Sequence, residues 1–108
     1  MSVVLKEDFQ MKITKTQNGT SVELAIEGRL DTMTAPELEK EIKTTMDGIK
    51  DLTLNLDKLE YISSAGLRVL LMAHKTMVTK GSMKITNVSE IVREVFDVTG
   101  FSDILNIE

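Results

Sequence analysis

The 108-residue chain has no cysteine and no tryptophan, one proline, one histidine, three Phe and one Tyr. Without cysteine there is no disulfide frame, no thiolate nucleophile and no cysteine zinc site, a composition that suits a reducing cytoplasm. A Ser-His-Asp hydrolase needs a base within hydrogen-bonding reach of its serine. The only histidine, His74, lies ten residues beyond Ser64, which on a shared helix is about 15 Å away. No G-x-x-x-x-G-K-[ST] loop and no G-x-G-x-x-G turn is present, so both common nucleotide cradles are missing. A zinc site would have to be built from carboxylates alone. The expectation is a protein that is not an enzyme, with no metal and no cofactor. Long apolar runs are missing too. Val3-Val4-Leu5 passes at once into Lys6-Glu7-Asp8, too short for a signal peptide or a membrane span. Seventeen acidic against thirteen basic residues leave a net charge of −4, the wrong sign for a phosphate-backbone binder. The chain therefore reads as a cytoplasmic acidic domain over residues 1–108, without membrane insertion or direct nucleic-acid contact. Area scaling predicts roughly 6,000 Å² of folded surface.

What is present is periodic. Phe9, Met11 and Ile13 alternate with polar residues, then Asn18-Gly19, then Val22, Leu24 and Ile26. The pattern predicts an antiparallel hairpin that opens the fold. Thr34 and Glu37 match a capping box, and Pro36 fits a first helical turn. Ala35, Leu38, Ile42, Met46 and Ile49 make one apolar stripe, with Gly48 placed to end the helix. Leu52, Leu54 and Leu56 predict a strand, and Tyr61-Ile62 lead into a second helix from Ser63 or Ser64. The inward stripe of that helix is read as Leu67, Leu70, Leu71, His74 and Val78, with Gly81 closing it. A strand near Met83 to Thr86 follows, then a helix capped by Ser89 that ends before Gly100. The tail from Phe101 to Ile107 is apolar enough to pack back as a turn or a strand. Phe9, Tyr61, Phe96 and Phe101 are read as core. Together these predict an α/β fold: a mixed β-sheet opened by an antiparallel hairpin, with helices packed mainly on one face.

The segment Tyr61-Ile62-Ser63-Ser64-Ala65-Gly66-Leu67 combines a strand end, two hydroxyls and small residues at a helix start. Helix starts carry unsatisfied N–H groups and partial positive charge. The first helix has Glu37 there, whereas here Ala65, Gly66, Leu67 and Arg68 follow. An anion attached at Ser64 would meet free donors and one cation. A plain serine cap with a glycine for close packing also accounts for the spacing.

Ser63-Ser64-Ala65-Gly66-Leu67-Arg68-Val69-Leu70-Leu71 resembles the signature of the STAS domain, and specifically of bacterial anti-sigma factor antagonists. Gly28-Arg29-Leu30-Asp31-Thr32, Leu54-Asn55-Leu56-Asp57 and Phe96-Asp97-Val98-Thr99-Gly100-Phe101 fit the same pattern in order. The resemblance implies a STAS-like fold and a binding module switched by phosphorylation. Unphosphorylated, such a protein binds an anti-sigma factor that is itself a serine/threonine kinase, and so frees a sigma factor. Phosphorylation switches it off, and a serine/threonine phosphatase restores it. Alignment on Gly66-Leu67 places the acceptor at Ser64, with Ser63 second, where many members carry Asp. The partner-binding set implied is Asp31, Thr32, Met33, Ser63, Ser64, Ala65, Gly66 and Arg68, with Met72 a further exposed apolar candidate. The alternative within the family is a constitutive module of a transporter ATPase or signalling complex, in which Ser64 is only part of a helix-docking surface.

Overall fold

The alternating patterns fold as a six-stranded mixed sheet with three helices, seen in a computed structural model that describes residues 1–108. In chain order the elements are β1 (Ser2–Glu7), β2 (Met11–Asn18), β3 (Ser21–Leu30), α1 (Ala35–Thr45), β4 (Asp51–Asn55), β5 (Leu59–Ile62), α2 (Ser64–Lys80), β6 (Ser82–Thr86) and α3 (Glu90–Thr99). A short 3-10 turn at Phe101–Asp103 ends them. The sheet order is β1-β2-β3-β4-β6, with β5 paired to β3 beyond β4. β1, β2 and β3 are antiparallel, while β4 and β5 run parallel to β3 and β6 runs parallel to β4. The ten-residue β3 is the spine. Its first half pairs β4 at Ser21–Ala25, and its end pairs β5 at Gly28–Leu30.

One face of the sheet is apolar. Val22, Leu24, Ile26, Leu52, Leu54, Met83 and Ile85 are all buried, while Glu23, Thr53 and Lys84 alternate to the other side. The inward residues of all three helices join those strands in one cluster of 26 buried residues. The exposed surface is 6017 Å², in line with the area expected from the mass.

Several expectations are corrected. The opening hairpin is not the first element, because Val3-Val4-Leu5 form the edge strand β1. Its alternation is blurred since Val3 and Val4 are about half exposed. Phe9 lies before β2 and is 98 % exposed; the Asp8 carboxylate accepts the N–H groups of Gln10 and Met11 and turns the chain there. The hairpin turn is Gly19-Thr20, since Asn18 already pairs with Ser21. Only Gly19 has positive φ, so a glycine at the first turn position suffices. The capping box does not form. Thr34 is buried, and its hydroxyl donates to the Arg29 carbonyl and accepts from the Asp31 N–H. Glu37 instead pairs with Lys6 of β1 at 2.9 Å, which raises the Lys6 pKa above its ordinary value. Tyr61-Ile62 do more than lead into α2: with Leu59 and Glu60 they form β5, paired to β3. The α2 stripe is rotated: Leu67, Leu70, Val69, Ala73 and Met77 are buried, His74 and Leu71 are half-buried, and Val78 is exposed. With apolar residues nearly all round α2, periodicity does not fix which arc meets the sheet. Among the aromatics only Phe96 is fully buried; Tyr61 is 40 % exposed and Phe101 half-buried. The tail does both things left open, making the 3-10 turn and then one bridge from Ile107 to Ile85.

Candidate functional site

The paired ends of β3 and β5 build the site. Arg29 stands opposite Tyr61 and Leu30 opposite Ile62. The Ser63 N–H donates to the Leu30 carbonyl at 2.9 Å, so Asp31 and Ser63 leave the sheet side by side. This brings the Asp31–Met33 loop and the start of α2 to one end of the sheet, two segments some thirty positions apart in the chain.

The two serines differ. Ser63 is the N-cap of α2 in extended conformation, and its Oγ accepts from the Gly66 N–H at 3.4 Å. Ser64 is the first helical residue, is exposed, and has a hydroxyl with no hydrogen-bond partner. No acidic residue occupies this first turn, so the positive end of the helix dipole is not offset locally. Gly66 is buried beneath the serines. A Cβ there would lie 2.7 Å from Leu30 Cγ and 2.9 Å from Ile62 Cγ1. Its hydrogen side chain lets α2 begin directly against the β3 and β5 ends, so Gly66 supports the surface from below. Ala65 is half-buried beside it, and Arg68 is exposed one turn on and makes no ion pair.

Asp31 is a tie within its own loop. Its Oδ1 accepts from the N–H groups of Met33 at 3.0 Å and Thr34 at 3.1 Å, and from the Thr34 hydroxyl at 3.3 Å. The Thr34 N–H bond above all holds its pKa below the ordinary 3.8, with the Met33 N–H and Arg29 adding to it against some desolvation. Thr32 and Met33 project outward, Met33 being 75 % exposed. Met72, by contrast, is half-buried against the core. The contact between Arg29 and Tyr61 is not foreseen by the sequence, where each reads only as part of its own segment. The Arg29 guanidinium sits 4.4 Å above the Tyr61 ring and 3.6 Å from the Asp31 carboxylate. Only the parallel β3–β5 register puts them together, and no local pattern signals that.

A protein-family model described as STAS domain matches residues 11–108. The chain belongs to the STAS family. Among curated relatives, this STAS domain is 36 % identical over 101 residues to the anti-sigma-B factor antagonist of Bacillus subtilis, covering 92 % of each chain. Its fold matches that of an anti-sigma factor antagonist from Mycobacterium paratuberculosis with a TM-score of 0.84 at 19 % identity, over 95 % of this chain and 89 % of that one. It also matches the Bacillus cell fate determinant SpoIIAA in its phosphorylated form, with a TM-score of 0.69 at 18 % identity over 91 % and 90 %. No helix of the domain is long and apolar enough to cross a membrane.

Proposed function

We propose that this STAS domain is an anti-sigma factor antagonist whose docking to an anti-sigma serine/threonine kinase is switched by phosphorylation of Ser64. The observation that carries the proposal is the contrast between neighbours: the Ser63 hydroxyl caps α2, while the Ser64 hydroxyl is exposed and unbonded. The Bacillus subtilis relative named as an anti-sigma-B factor antagonist, similar over nearly the full chain, supports the partner class.

The switch is electrostatic. A phosphoryl group adds about −1.5 to −2 charge and three strong acceptors. On its own domain that charge sits at the acid-free start of α2, where the N–H groups and the helix dipole accommodate it. A partner packed over Ser64, Ala65 and Met33 would instead have to desolvate it. Weakening a complex a thousandfold takes about 4 kcal/mol, within the range of one badly placed charge at an interface. The Arg29–Tyr61 stack and the Asp31 loop frame the same surface, and a serine/threonine phosphatase resets it.

Two measurements test the reading. Incubation with the cognate anti-sigma kinase and ATP should add one phosphate, seen by intact mass, that Ser64→Ala prevents and Ser63→Ala does not. Ser64→Asp should weaken kinase binding by about a thousandfold while the melting temperature stays near wild type. Unchanged affinity of Ser64→Asp defeats the proposal.

A further inference from the structure

The apolar arc of α3, from Val98 through Ile91, Val95 and Val92 to Phe96, spans about 160°, wider than the part that is buried. Val92 and Phe96 are fully buried against the core. At the open edge of the same arc Ile91 is 68 % and Val98 81 % exposed, half-buried Val95 joins that edge to the buried part, and Ile104 of the following turn is 47 % exposed. At 100° per residue Val98, Ile91 and Val95 fall within an arc of about 60°. Glu94 and Glu90 follow along the open border of that arc, about 40° and 80° beyond Val98, while Asp97 stands farther round and its carboxylate accepts from the Ser102 hydroxyl. None of the three takes part in any of the chain's ion pairs. Val and Ile at open helix positions give up both solubility and helix propensity, and a solvated face has no use for them.

We propose that this face of α3 is a docking surface for a basic amphipathic helix of another protein, one whose apolar stripe is flanked by Lys and Arg. The charge pattern selects that occupant. A second copy of this chain would set one acidic border against another on a molecule of net charge −4. An anionic membrane surface meets the same repulsion. A helix with Lys or Arg beside its apolar stripe covers Ile91, Val95 and Val98 and neutralises Glu94 and Glu90 on the open border. No residue of the Ser64 surface lies on α3, so this contact goes beyond the phosphorylation switch and operates in both its states.

The test titrates the isotope-labelled full chain with a synthetic Leu/Lys amphipathic peptide of about 18 residues, long enough to form helix, against a Leu/Glu peptide of the same pattern. Saturable shifts centred on Ile91, Val95 and Val98 are expected, with the Leu/Glu peptide at least about tenfold weaker. The double variant Ile91→Ser/Val98→Ser should keep its melting temperature and its Ser64 phosphorylation but lose about tenfold or more in peptide affinity. Ser64→Asp should bind the peptide as wild type does, which separates this result from the fate of the switch. Shifts centred elsewhere, undiminished binding by the double variant, or dimerisation of the free chain that the double variant abolishes would each overturn the proposal.

Discussion

Ser63 and Ser64 are the same residue type one position apart, and the fold gives them different energetics. Ser63 Oγ satisfies the Gly66 N–H through a long bond of 3.4 Å, so Ser63→Ala should cost about 0.5–1 kcal/mol, the lower part of the range for cap loss. Ser64→Ala removes an exposed, unbonded hydroxyl and should leave the denaturation midpoint within error. Equal losses for both variants would show that the cap is shared. Asp31 gives a pH signature at the same scale. Its folded-state pKa is depressed by the Thr34 and Met33 N–H groups, so the stability it contributes is complete above the ordinary 3.8 and is lost as pH falls through the lower folded value. An NMR titration should place the Asp31 midpoint below 3.8, with the Met33 and Thr34 amides moving in step; a midpoint at or above 3.8 would show that the loop tie is not formed. The segment around Gly66 is legible in the chain as small residues at a helix start. Which serine is free is not, because the cap depends on the angle at which β5 hands over to α2.

Among the elements, α2 is the one whose ends matter most, since one end carries Ser64 and the other crosses the start of β4. Gly81 closes it with an N–H donated to Met77 O at 2.7 Å. A Cβ there would lie 1.9 Å from the Lys50 carbonyl oxygen and 2.8 Å from its carbon. The Gly81 backbone is extended, so the constraint is this close crossing of two backbones. Gly81→Ala should therefore destabilise the protein by about 1–3 kcal/mol, the usual cost of an overpacked contact, read as a fall in the urea midpoint. A wild-type midpoint would mean that the crossing is loose. Gly81 as a helix end was readable, as were the α1 stripe and the Ser89 cap. The face that α2 presents was not. Likewise Thr34 and Glu37 have the spacing of a capping box, but Thr34 is drawn inward to Arg29 and Asp31, and Glu37 outward to Lys6. Long-range partners outbid a local motif when they satisfy the same groups in a more buried place.

At the scale of the whole molecule, the apolar sheet face and the three helices above it share one continuous core, and Ser64 sits at its margin. On the proposed reading a charge there changes what docks without changing what is folded, so the Ser64→Asp variant should lose its partner yet keep its melting temperature. The chain by itself determined the α/β class, the order of most elements, the hairpin signal near Gly19 and the small-residue start of α2 that belongs to the candidate site. Hydrophobic period, glycines and serine caps are local properties and need no folded context. Only the tertiary structure decided that β5 lies beside β3, that Arg29 rests on Tyr61, that Ser63 is tied while Ser64 is free, and that α3 keeps Ile91 and Val98 in solvent. Each of these depends on which distant surface lies alongside, and the period of a sequence carries no record of its neighbour across the sheet.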